Sequence, residues 1–141
     1  MSVRLQLASS LEKIRVFAAP TLGFYPLTVL QGDQISFQVA FYPEKDSFSR
    51  RVSYTIAVES PLADWIQVRQ VEQVPVLLPA FDASDGGYID TAPGLYPDLL
   101  RTLYEENHAF GIRGQWSSLW VEVSPDASVP AGTYPCTITD T

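Results

Sequence analysis

Two alternating segments, joined by a stretch that neither helix nor strand tolerates, set the strongest constraint on this chain. Leu119, Val121 and Val123 alternate with Trp120, Glu122 and Ser124, the two-residue period of a half-buried strand. Pro125, Asp126, Ser128, Pro130 and Gly132 follow, a density of turn formers that breaks any regular element. Tyr134, Cys136 and Ile138 then alternate with Pro135, Thr137 and Thr139. Pro135 has no amide hydrogen, so this second strand must place it at an edge or a gap in the ladder. The pattern predicts a β-hairpin, or two neighbouring strands, with a proline-braced connection.

The preceding residues repeat the theme. Val3, Leu5 and Leu7 alternate with Arg4 and Gln6 as a first strand that Ser9-Ser10 ends. Residues 11–17 fit one helical turn or a second extended piece. Leu27 and Val29 lead to a turn at Gly32-Asp33, after which Ile35, Phe37, Val39 and Phe41 give the cleanest strand, with one fully apolar face. A charged loop over 43–51 separates it from Val52, Tyr54, Ile56 and Val58, an antiparallel neighbour if the loop is a hairpin. Ile66, Val68, Val74, Val76 and Leu78 predict one long bent strand or two short ones, with Pro75 at an edge or bulge. Residues 79–97 are irregular, and a loop of that length is usually functional or packs against something. Residues 98–106 are expected to be mostly extended, and 107–115 a turn region. The expected fold is all-β, an antiparallel β-sandwich, immunoglobulin-like or jelly-roll-like, with no long helix. Phe37, Val39, Ile56, Val121, Tyr134 and Ile138 are expected in one inter-sheet core.

The length of 141 residues fits a single domain over 1–141, large enough to bury about two thirds of its unfolded surface. Apolar content of 46%, with 12% aromatic, is that of a globular chain. The net charge of −7 argues against nucleic-acid and anionic-membrane partners, which need a basic footprint. Arg50-Arg51, diluted by Glu44 and Asp46, fits a solvated loop. No run approaches the ~20 apolar residues of a membrane span, and the opening residues lack the apolar core of a signal peptide. Cys136 is the only cysteine, so no disulfide forms within the chain; a cytoplasmic location is expected.

Asp82, Asp85 and Asp90 surround Gly86-Gly87, but their spacing departs from the calcium-loop pattern and fits plain turns. His108 has no second histidine and no nearby cysteine, so no metal site or cofactor is expected. Nucleophile, zinc-protease and phosphate-loop motifs are absent from the sequence. Glu105-Glu106 are adjacent, and on an extended chain they point to opposite faces, so they cannot flank one glycosidic bond. The chain alone is not expected to be an enzyme. Tyr88, Tyr96, Trp116 and Trp120 are the candidate ligand-binding residues, as a sugar-stacking platform. Trp116 and Trp120 fall on the face opposite Leu119 and Val121, where an interface with another domain is the blander alternative.

Gly132, Tyr134 and Cys136 sit at the spacing of the immunoglobulin corner motif D-x-G-x-Y-x-C. A second resemblance covers nearly the whole chain. The segment LWVEVSPDASVPAGTYPCTIT resembles the hairpin that ends the amino-terminal β-sandwich domain of bacterial proteins similar to glycoside hydrolase family 123. SSLEKI, GDQISFQVAF, IQVRQVEQV and GLYPDLL resemble further blocks of that domain, in order. The resemblance implies a non-catalytic, accessory amino-terminal domain that precedes a catalytic barrel in cis. The barrel would carry the glycosidase residues, act on N-acetylhexosaminides and use the substrate's own acetamido group as nucleophile. A barrel needs ~250 residues, so no catalytic residue transfers to this chain. The alternatives are a carbohydrate-binding module that uses surface aromatics and a self-standing immunoglobulin-like interaction domain. The alternating strand at 138–141 suggests a truncated piece of a longer protein, whose bare edge the barrel covers or an edge-strand dimer uses.

Overall fold

The computed structural model describes every residue except 1, 25, 45–47, 79, 82, 84 and 89. Among the described residues are eight strands: β1 (Val3–Ser9), β2 (Ile35–Pro43), β3 (Arg51–Glu59), β4 (Ile66–Val76), β5 (Gly94–Thr102), β6 (His108–Ile112), β7 (Ser117–Val123) and β8 (Thr137–Asp140). They form a five-stranded sheet, β1-β2-β7-β4-β5, and a three-stranded sheet, β6-β3-β8, all antiparallel. The architecture is the expected β-sandwich. No helix among the described residues is long and apolar enough to cross a membrane.

The connectivity differs from the simplest reading of the alternation. β2 and β3 do not pair; β2 lies between β1 and β7, whereas β3 lies between β6 and β8. They meet across the core instead, with the Phe41 and Tyr54 rings 5.8 Å apart, edge to face. β7 and β8 likewise belong to opposite sheets, so the proline-rich stretch is a corner between sheets and not a hairpin. Its residues are held locally. Asp126 accepts the Ser128 amide at 2.7 Å, and Gln31 Nε2 donates to the carbonyls of Ala127 and Val129 at 2.9 and 2.8 Å. The Tyr134 hydroxyl donates to the Pro130 carbonyl at 2.6 Å. Tyr134 therefore braces the corner and lies outside the inter-sheet core, and the second strand begins only at Thr137.

Residues 107–115 hold strand β6 where a turn region was expected. The 98–106 segment is extended through Thr102 and ends in a 3₁₀ turn at Glu105–Asn107. β4 is one strand, with a register shift between Glu72 and Gln73 opposite β5. Pro75 lies beyond Val71, where pairing with β7 stops. One side of β4 is free there, and the missing amide hydrogen costs no ladder bond.

The core between the sheets is built from the expected alternation. Phe37, Val39 and Phe41 of β2, Val52, Tyr54 and Ile56 of β3, and Leu119 and Val121 of β7 are buried together, with Ile138 partly buried against them. A second cluster lies on the outer face of the five-stranded sheet, where Ala8, Ile14, Ala40 and Trp116 are buried under the chain that leaves β1. That chain is neither helix nor strand, so its carbonyls find no ladder and need other partners. Glutamines supply them. Gln38 Nε2 donates to Ser9 O and Glu12 O at 2.9 and 2.8 Å, Gln73 Nε2 to Ile14 O at 3.0 Å, and Gln6 Nε2 to Pro20 O at 2.9 Å. Ser118 Oγ donates to Gln38 Oε1 at 3.1 Å, which completes the buried amide.

Candidate functional site

The four expected aromatics do not share a platform. Trp116 is only 5% exposed. Its amide donates to Val16 O at 2.8 Å, and its ring packs 5.3 Å from Tyr42 beneath the strap formed by 10–20. The outer face, expected to carry a sugar-stacking platform or an interface with another domain, is covered at Trp116 by the chain's own segment, so Trp116 is a core residue. Trp120 is half-buried on the same face, beside Lys13 and Leu100. Tyr96 carries the Arg15 guanidinium over its ring at 4.0 Å and donates its hydroxyl to Ala92 O. Tyr88 is 45% exposed.

The acidic loop residues have structural partners. Asp85 accepts the Gly87 amide at 3.1 Å. Asp90 accepts the Ala92 amide at 2.9 Å and Arg15 Nη1 at 2.8 Å; these bonds, the amide's first, hold its carboxyl below the ordinary value of 3.8. Asp82 lies outside the described residues. His108 spans Thr55 Oγ1 at 3.3 Å and the Glu105 carbonyl at 2.7 Å. No group of three or more metal-ligating side chains occurs among the described residues.

Five strands over three leave the inner faces of β1 and β5 without full cover, and the two open sides differ in chemistry. Beside β1 the opening is apolar. Leu5 and Leu7 pair with Phe41 and Val39 in register and so point to the core face, yet they remain 49% and 46% exposed. With Cys136 and Ile138 they border a slot of about 290 Å³. Burial there pushes the Cys136 thiol up. Thr55 and Thr141 exchange both backbone bonds, at 2.9 and 3.1 Å. The alternation of an antiparallel ladder then turns the amides and carbonyls of Ile138 and Asp140 away from β3, toward this slot.

Beside β5 the opening is polar and cationic. A groove of about 600 Å³ is lined by Arg50, Arg51 and Arg101, with Glu72 as its one carboxylate among the described residues. Arg51 lies over the Phe110 ring at 3.9 Å and Arg101 over the Tyr104 ring at 4.0 Å. The two rings meet edge to face at 4.8 Å, so both guanidinium groups are held by stacking. Arg101 also forms an ion pair with Glu72. Arg50-Arg51, expected to be a plain solvated loop, thus forms one wall of a groove. Only proximity in the fold shows this, because Arg101 lies far along the chain.

No family model matches the chain, and no curated protein does. Its fold does match solved structures. One is a family 123 glycoside hydrolase from Clostridium perfringens, studied for glycolipid glycan hydrolysis. The two superpose with a TM-score of 0.71 over 99% of this chain, at 10% identity. The chain spans 24% of that hydrolase's length. What the two share is the fold: this β-sandwich is similar, end to end, to a part of a glycoside hydrolase chain.

Proposed function

We propose that this chain is a non-catalytic accessory domain of a glycoside-hydrolase-like protein, working in cis with a catalytic barrel. The observation that carries the reading is the asymmetry of the match, which takes in 99% of this chain and 24% of the hydrolase. The remainder of such a protein is long enough to hold the catalytic machinery. Glu105 and Glu106 support the same reading. Both are exposed on a 3₁₀ turn, without the facing arrangement that two-carboxylate glycoside cleavage needs. The apolar slot beside β1 and the bare edge of β8 suit a surface that another part of the same protein covers.

The encoding reading frame tests this directly. A continuation of ~250 residues with alternating strand and helix patterns is expected, and a frame that stops near Thr141 overturns the proposal. In parallel, the isolated chain should release no aryl group from N-acetylhexosaminide substrates. Turnover that survives purification would make it an enzyme in its own right.

A further inference from the structure

We propose that the free edge of β8 receives an extended strand from the remainder of the same polypeptide, with an apolar side chain over Leu7 and a lysine or arginine against Asp140. The inference rests on the accessory-domain reading and names the segment that closes the slot beside β1.

Backbone geometry makes the occupant a strand. The amides and carbonyls of Ile138 and Asp140 face the slot, a row that an extended backbone meets in register. An antiparallel newcomer would exchange both backbone bonds with each of these residues, and its inward side chains would enter the slot that Leu5, Leu7 and Ile138 share. A helix or a small apolar ligand could cover the leucines but would leave the β8 groups unpaired. A strand added to β1 instead would lie in the plane of the five-stranded sheet and leave the slot open.

The side chains around the edge state what the strand carries. Leu7 borders the slot with Ile138, so the position beside Ile138 is apolar. Asp140 pairs with Ile56 in register and so turns its carboxylate to the core face, where Leu5 borders the same opening. There it adds to burial in pushing the Tyr54 phenol up. Among the described residues Asp140 has no ion-pair partner. A lysine or arginine opposite it can lay its apolar stem on Leu5 and bring its charge to this carboxylate. Charge also bears on the source. Residues 134–141 hold no basic residue, so β8 of a second copy cannot supply the cation, and a dimer would join two chains of −7 each. The similar hydrolase is long by comparison, with this chain spanning only 24% of it. A protein of that plan has ample chain to contribute one strand.

The test is hydrogen exchange of the full-length protein, resolved to single residues by fragmentation mass spectrometry. With a bare edge, the Thr139 and Thr141 amides are held by β3, while those of Ile138 and Asp140 exchange freely. With the strand in place all four are slow, Ile138 and Asp140 within ~10-fold of their neighbours. The variant D140K, checked for an unchanged melting curve, should lower the protection of Ile138 ~10-fold or more. The alternating pattern needs no variant, so the proposal remains testable if D140K misfolds. Fast exchange at Ile138 and Asp140, or full protection in a well-folded D140K, overturns this inference and leaves the accessory-domain reading standing. A reading frame that stops near Thr141 overturns both. Protection that fades on dilution overturns the inference in favour of a second copy.

Discussion

The side-chain amide of Gln70 and the backbone of Phe110 bond to each other in both directions. Nε2 donates to the Phe110 carbonyl at 2.6 Å, and Oε1 accepts the Phe110 amide hydrogen at 3.0 Å. Gln70 is on the inner face of β4 and Phe110 is in β6, so the pair ties one sheet to the other as a ladder rung would. Replacing Gln70 by alanine leaves a donor and an acceptor of β6 without partners. The expected cost is about 2–4 kcal/mol in urea denaturation. A loss below about 0.5 kcal/mol would mean that water serves these groups equally well.

Phe37 and Leu5 share the core face of the five-stranded sheet but should respond differently to truncation. Phe37 is buried at the centre, and Phe37→Ala should cost roughly 3–5 kcal/mol. Leu5 is about half in water already, so Leu5→Ala should cost only about 1 kcal/mol. Equal losses at the two sites would show that the slot beside β1 is closed in solution.

Glu106 and Asn107 both adopt left-handed backbone conformations, with φ of 59° and 58°. Such geometry costs a residue with a Cβ about 1 kcal/mol, and glycine almost nothing. Glu106→Gly should therefore raise stability by about 1 kcal/mol, read as a higher denaturant midpoint. A lower midpoint would show that the Glu106 side chain supports the turn by contacts that outweigh the backbone term.

Asp90 is tied to the strap through Arg15. Its carboxyl is held below the ordinary 3.8, first by the Ala92 amide and then by Arg15. A depressed folded-state value means that the contact is complete above the ordinary value and is lost as pH falls through the lower one. Carboxyl NMR titration should show Asp90 titrating below an ordinary aspartate. Arg15→Gln should move it part of the way back up. An unchanged titration in that variant would assign the whole effect to the amide.

Much of the sandwich is legible in the sequence, because inward positions in β2, β3 and β7 carry large apolar side chains at period two. Strand β6 escapes that reading for a physical reason. Its inward residues are Ala109 and Gly111, since the opposite sheet already fills the space. A Cβ on Gly111 would lie 2.7 Å from Pro43 and 2.9 Å from the Phe41 ring. Small residues in a tight spot give no hydrophobic signal. Alternation also reports which face a residue occupies but not which sheet its strand joins, and so β2–β3 and β7–β8 looked like hairpins. Trp116 was read as a surface aromatic because nothing local reveals that glutamines on three strands pin a strap over it. The cationic groove was illegible too, assembled as it is from Arg50, Arg51 and Arg101.

The passage of the chain back and forth between sheets bears on how it folds. β3, β6 and β8 each leave the sheet of the strand before them, so each can pair only after a partner from far along the chain has arrived. Few rewards come early, and the loop-closure entropy falls due before most of the ladder exists. Folding on the millisecond-to-second scale follows, as for other sandwiches dominated by non-local pairing. The glutamine-pinned strap has no surface to dock on until β2, β4 and β7 are side by side. Its amides should be among the last to gain protection from hydrogen exchange during refolding, and among the first to lose it as the native state opens.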